Sequence, residues 1–318
     1  MMRSRPVPFL LLLLTVASQA AAQDGNYLMR PDSLERRLRL APLNLIDYRG
    51  SRAPGDRTQR ITLMFADSSV AVAKLAKAPL GGSQFNNEPR YEQGAYELQK
   101  LFLDPDDYVV PPTVLRAEPL AWLRQYDQTA AATFEQAPRS IVILLQYWLL
   151  QVSPDRFYDR DRARRDTVYA RYLGNFNILT YLIRHNDANI GNFLISQNAE
   201  QPRVFSVDNG LAFESEPSNR GYEWRNLRVE RLPRATVERL RAITPAQLQQ
   251  ALGVLAQFEL QAGQLAGAEP GANLDPNRGV RRSDTMVQFG LTTREIRGVE
   301  SRLKSLLENV DKGSIKVF

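Results

Sequence analysis

The chain has 318 residues, with 41 Lys or Arg against 35 Asp or Glu, one histidine and no cysteine. The missing cysteines exclude disulfide staples and thiolate zinc sites, and one histidine excludes H-E-x-x-H and other multi-histidine zinc centres. A net charge of +6 is too modest to demand nucleic acid, and no aromatic-plus-basic single-strand motif occurs, so no nucleic-acid partner is expected. A Ser-His-Asp triad would have to use His185, and there is no G-x-S-x-G elbow. The chemistry left is that of carboxylates, lysines, arginines and asparagines, the groups that hold hard metal ions and phosphates.

In chain order, Arg3 and Arg5 precede an apolar run from Phe9 to Val16, and Ala20-Ala21-Ala22 stand before Gln23. This pattern predicts a signal peptide over residues 1–22, the run being short of the roughly 20 residues of a bilayer span. An uncleaved anchor is the alternative. Both export the rest of the chain, and export without cysteine points to a periplasmic or secreted protein. Residues 24–58 are polar and mixed, with GSRAPGD as a loop. RITLMFADSSVAVAKLAKAP predicts two strands around an Asp67-Ser68-Ser69 turn. In FNNEPRYEQGAYELQKLF, Glu88, Glu92 and Leu98 with Tyr91, Ala95 and Phe102 keep a helical period, and Pro89 suits a first turn. YVVPPTVL predicts a strand broken by prolines, and SIVILLQYWLL, from Ser140, a buried strand or a linker. Residues 155–166 read as a solvated charge run. Val168, Tyr172, Phe176, Leu179 and Ile183 then repeat at helical spacing. That helix runs into RHNDANIGN, and NFLI and VFSV predict two short strands. NRGYEWRNLRVERLPR is basic and irregular. Thr244 to Gln247 forms a capping-box pattern, GAEPGANLDPNRG a loop, and Thr292 with Glu295 caps a last helix near 293–309. The order is that of an α+β protein with two unequal lobes.

Two clusters carry chemistry. HNDANIGN is a loop between a helix and a strand; it fits a calcium loop poorly, because the glycine falls one place early and position twelve is Asn198. VDNGL, alone, favours a β-hairpin at Asn209-Gly210. Together, H-x-D-x-x-x-x-N, a strand pair and hydrophobic-Asp-x-Gly follow the order of the protein-kinase catalytic and metal loops. His185, Asp187, Asn192 and Asp208 match it, with Asn186 where kinases carry Arg. Phosphoryl transfer needs one carboxylate for the acceptor hydroxyl, and a second with an amide oxygen to hold a metal on the phosphates. Upstream, a strand lysine and a helix glutamate would form the phosphate-gripping pair: Lys74 with Glu92, against the rivals Lys77 and Glu88. Residues 144–149, LLQYWL, are either a hinge bordering a base or plain core.

DNGLAF with the preceding Asp187 and Asn192 resembles the metal loop of type II phosphatidylinositol 4-kinases. It is also similar to that of secretory kinases of the Golgi casein kinase type and of HipA-like kinases. EQGAY and VVPPT are similar to the helix and strand upstream in those families. The resemblance covers roughly residues 60–235 and implies a two-lobed protein-kinase-like fold, with a smaller β-rich N-lobe over 23–139, a hinge over 140–150 and a mainly helical C-lobe over 151–318. It implies ATP with Mg²⁺ or Mn²⁺, Asp187 as catalytic acid, Asn192 and Asp208 as metal ligands, and Lys74 and Glu92 as the ion pair. Gln146, Tyr147 and Trp148 would border the nucleotide. No clear glycine-rich loop precedes Lys74; RGSRAPGD, residues 49–56, is the nearest segment. The expected activity is transfer of the γ-phosphate to a hydroxyl of a protein, lipid head group or sugar. Arg220, Arg225, Arg228, Arg231 and Arg234 suit an anionic acceptor. The alternatives are an inactive pseudokinase that binds a ligand or partner, and a periplasmic carbohydrate- or peptide-binding module.

Overall fold

The computed structural model describes residues 25–50, 58–84, 87–215 and 223–318. The expected signal peptide, most of RGSRAPGD and Arg220 lie outside these. After α1 (Pro31–Leu40) the chain forms β1 (Asn44–Arg49), β2 (Thr58–Met64), β3 (Val70–Lys77), α2 (Pro89–Gln99), β4 (Thr113–Pro119), α3 (Leu120–Arg124) and β5 (Ser140–Tyr147). The strands form one antiparallel sheet in the order β1-β2-β3-β5-β4. The hinge expected over 140–150 is therefore mostly a central strand, every residue of β5 being buried.

Alternation gives this sheet two different faces. Ile61, Leu63, Ala73, Leu75 and Leu145 point into a core closed by Leu34 and Leu38 of α1. Helix α1 lies in the stretch that reads as polar and mixed; its buried leucines are one turn apart, which a short period hides. The other face carries Arg60, Lys74, Gln146 and Thr113 in one cross-strand row.

The second half runs through β6 (Val152–Ser153), α4 (Arg160–Arg165), α5 (Thr167–Leu182), β7 (Phe193–Ser196), β8 (Val204–Ser206), β9 (Arg231–Leu232), α6 (Arg234–Ala242) and α7 (Pro245–Leu252). It ends with β10 (Ala256–Gln261), β11 (Gln264–Ala268), β12 (Val280–Arg282), β13 (Met286–Phe289), α8 (Thr293–Asp311) and β14 (Lys316–Val317). Its core gathers Phe176 and Leu179 of α5, Val237 and Leu240 of α6, Leu248 of α7 and Val299 and Leu303 of α8, with Tyr91 and Ala95 of α2. Both expected capping boxes, at Thr244 and Thr292, are formed. The charge run at 155–166 contains the exposed helix α4, capped by Asp159. Residues 256–289 add a four-stranded antiparallel sheet, β11-β10-β13-β12, not legible beforehand. Its β10–β11 connection turns on Ala262 and Gly263, both at positive φ, as a two-residue type I′ hairpin requires. Phe258, Val287 and Phe289 of this sheet pack on Leu115, Val142 and Leu144, on the face that bears Lys74. Among the described residues no helix is long and apolar enough to cross a membrane.

Candidate active site

Helix α5 delivers the first cluster. It ends with Arg184 at φ 52°, and His185 N–H and Arg184 N–H close back on the carbonyls of Thr180 and Tyr181 at 2.9 and 3.0 Å. This is a Schellman stop, with arginine where glycine is usual. The chain then turns inward, and His185, Asn186 and Asp187 are buried. His185 packs edge-on to Phe193, and its Nδ1 accepts from Asp187 N–H at 3.2 Å. Burial pushes the imidazole pKa down to about 4, so the ring is neutral with its proton on Nε2. Asn186 is tied to the next cluster: its N–H donates to Leu211 O at 2.8 Å and its side chain to Ser215 O at 2.9 Å.

Asn192 Nδ2 donates to Asp187 O at 3.0 Å and to Asp187 Oδ2 at 3.3 Å. With the amide nitrogen used this way, Oδ1 is the atom left for a ligand. Val207 N–H donates to Asn192 O at 2.8 Å, which fixes the loop beside the residue before Asp208. Asp208 itself has φ 59°. The hairpin that Asn209-Gly210 taken alone would favour is absent. Asn209 is buried and pairs with Ser206, Oγ to Oδ1 at 2.7 Å, and the chain after Gly210 does not continue as a strand. Gly210 O instead accepts from Glu88 N–H, at the start of α2, at 3.1 Å.

The upstream cations separate. Lys74 Nζ lies 2.7 Å from Glu92 Oε1 and 2.9 Å from Asp208 Oδ1. Lys77, on the opposite side of β3, pairs with Asp127. Glu88, at the helix N-cap, accepts from Gln84 N–H at 3.1 Å and lies 3.3 Å from Arg90. Burial opposes the charge on Lys74, but Asp208 and Glu92 outweigh it and hold its pKa above that of a free lysine. Burial raises the Glu92 pKa, with Lys74 pulling the other way.

Lys74, Asn192 and Asp208 meet at a cleft of about 670 Å³. Arg60 and Lys74 line its roof, Gln146 to Leu149 its back, and Asn192, Leu194, Val207 and Asp208 its floor. Of the residues expected to border a base, Gln146 is committed elsewhere. Its amide donates to Thr113 Oγ1 at 2.9 Å and approaches Glu92 at 3.4 Å. The Tyr147 ring belongs to the core on the other face, stacked on Tyr27 at 5.5 Å. Trp148 lines the cleft. The N–H groups of Tyr147, Trp148 and Leu150 are taken by Pro112 O, Val72 O and Asn26 O. Leu149 N–H makes no such bond among the described residues, and Leu149 lines the cleft. Leu149 falls in the LLQYWL stretch; Arg60, Leu194 and Val207 have no local signature, and only the tertiary fold brings them here.

Of the basic segment, Arg228 lies over Tyr158 and Trp224, and Arg231 donates to Ala163 O at 2.7 Å, so these two hold the segment to α4 and its surroundings. Among the described residues no three His, Cys, Asp or Glu side chains converge as a self-sufficient metal cage.

No protein-family model and no curated protein matches the sequence. Among solved structures the chain is similar to the Golgi casein kinase with Mn/ADP bound, at 15% identity and TM-score 0.48 over 89% of this chain and 76% of that one. It is also similar to hydra Fam20 with sugar, at 14% identity and TM-score 0.49 over 88% of each chain.

Proposed function

We propose that the protein is an exported, kinase-like phosphotransferase that moves the γ-phosphate of a nucleoside triphosphate to a hydroxyl acceptor. The observation that carries this reading is Lys74 bridging Glu92 and Asp208 in a cleft also lined by Asn192, whose amide holds Asp187. A lysine held charged by two carboxylates suits phosphate oxygens. Leu149 N–H offers one donor to the edge of a base. Asp208, half-exposed, and Asn192 Oδ1 are hard oxygen donors, and Mg²⁺ or Mn²⁺ is commonly held by one or two such groups together with substrate phosphates. A divalent cation held there would offset the charge of the phosphates. Asp187, held by Asn192, would orient the acceptor hydroxyl and take its proton. Export rests on the first 22 residues, and intact mass of the native protein should begin at Gln23. Arg234, exposed, is offered to an anionic acceptor more than Arg228 or Arg231.

Asn has the shape of Asp but cannot take a proton. Asp187→Asn should keep MgATP or MnATP binding and lower autophosphorylation from labelled ATP by roughly 10²- to 10⁴-fold. Asp208→Ala should lose both. Equal transfer by wild type and Asp187→Asn would remove Asp187 from this role, and a wild type that binds but never transfers would favour the inactive relative.

A further inference from the structure

Arg60 stands beside Lys74 on the neighbouring strand, on the same face of the sheet. Directly opposed residues start about 5 Å apart, yet the two cations diverge. Lys74 reaches Glu92 and Asp208, whereas the Arg60 guanidinium lies 5.0 Å over the Trp148 ring. Among the described residues Arg60 makes no ion pair, and it and Lys74 are the cations that line the cleft. The apolar Leu194 and Val207 line the same cleft.

We propose that Arg60, laid on Trp148, is the surface on which the base of the nucleotide stacks, an inference that rests on the nucleotide-binding reading above. A guanidinium is planar, delocalised and weakly hydrated, so a flat ring covers it at little desolvation cost. Leu194 and Val207 supply the apolar second side of the slot. Arg60 is turned toward the back of the cleft and away from Lys74, which separates base binding from phosphate binding. Stacking tolerates different bases because each has a π-face. Gln146, the side chain on β5 nearest a base edge, is buried and gives its amide N–H groups to Thr113 Oγ1 and Glu92 Oε2. The single Leu149 N–H can serve N1 of adenine or O6 of guanine. The site therefore takes a purine nucleotide without choosing strongly between ATP and GTP.

The test uses tryptophan fluorescence and calorimetry on the full chain, titrated with MgATP, MgGTP and magnesium inorganic triphosphate. ATP and GTP should bind within about tenfold of each other and change the Trp148 signal. Arg60→Ala should weaken both by about tenfold or more, the usual worth of one stacking contact, and leave triphosphate binding unchanged. Arg60→Lys, which keeps the charge and loses the plane, should resemble Arg60→Ala. Arg60 is exposed, so neither variant threatens folding. Wild-type affinity in Arg60→Lys, or triphosphate weakened as much as ATP by Arg60→Ala, would overturn stacking in favour of a simple charge. ATP bound by wild type and equally by Arg60→Ala would sink the inference and leave the nucleotide reading standing. Wild type that binds none of the three would sink both.

Discussion

Asp208 and Arg184 are both held at positive φ, 59° and 52°, in a region that costs an ordinary L-residue about 1–2 kcal/mol. Asp tolerates it through its short polar side chain, and at this position the turn aims the carboxylate at Lys74. Arg184 has no such compensation, and it adds like charge near the half-buried Arg302, whose pKa is lowered to about 10, first by desolvation and in part by Arg184. Arg184→Gly should therefore stabilise the fold by about 1 kcal/mol, read as a higher urea midpoint at unchanged m-value. His185 gives a pH dependence. Its folded pKa of about 4 lies below the roughly 6.5 of an unfolded histidine. The stability this contributes is full above about pH 6.5 and falls as the pH drops toward 4, because only the unfolded chain takes up the proton. At pH 5 the loss is about 2 kcal/mol. Urea melts of metal-free wild type and His185→Gln at pH 7.5 and 5.0 should differ by that amount in their pH response; parallel responses would show that His185 is not the titrating group.

Helix α2 links the two lobes. One end of it carries Glu92, and Gly210 O caps Glu88 N–H at its start. A Cβ at Gly210 would lie 3.0 Å from Asn87 Cα, so Gly210→Ala must push backbone. It should weaken MgATP binding more than it lowers the melting temperature, since it parts the Asp208 loop from the helix bearing Glu92. On the other side of α2, Arg90 donates to both oxygens of Glu295, at 2.6 and 2.9 Å, and Glu295 Oε2 also accepts from Thr292 N–H at 2.7 Å. One carboxylate thus caps α8 and neutralises a buried arginine. Burial alone would raise the Glu295 pKa, but Arg90 and Tyr91 hold it below the usual value. Glu295→Ala leaves Arg90 buried without its bidentate partner and should cost about 3–5 kcal/mol in chemical denaturation. A loss below 1 kcal/mol would mean that water reaches Arg90.

At the scale of the molecule, the lobes are fastened at two more places. The β10–β13 sheet belongs in sequence to the second half but packs Phe258 and Phe289 on β4 and β5 of the first. The segment at Asn26 crosses the connection after β5, its side chain donating to Leu150 O at 2.9 Å and Gln151 O at 3.2 Å. Such crossing contacts predict a single cooperative thermal transition rather than one per lobe. Phe289→Ala, which empties a fully buried aromatic site between the sheets, should cost about 3–5 kcal/mol. Two resolved calorimetric peaks in wild type would contradict the coupling.

Local pattern was enough for the elements whose period or caps lie within one segment: β2 and β3 around Asp67-Ser68-Ser69, α2 after Pro89, α5 into His185, and the two capping boxes. It also singled out Asp187, Asn192 and Asp208, of which the structure bonds Asn192 to Asp187 and sets Asn192 and Asp208 in one cleft. Tertiary structure alone decided which lysine and which glutamate meet. Lys74 and Lys77 differ only in the face they take, and Glu88 and Glu92 share a helix face. The choice was made by what lies opposite each: Asp127 for Lys77, Arg90 for Glu88. Asn209-Gly210 has the composition of a hairpin turn. It does not form one because Asn209 finds a buried partner in Ser206 and Gly210 finds Glu88, bonds no local propensity contains. Arg60 reads as one cation among 41 basic residues, and the pairing of β2 with β3, and of β3 with β5, sets it on the cleft face beside Lys74, where it lies over Trp148.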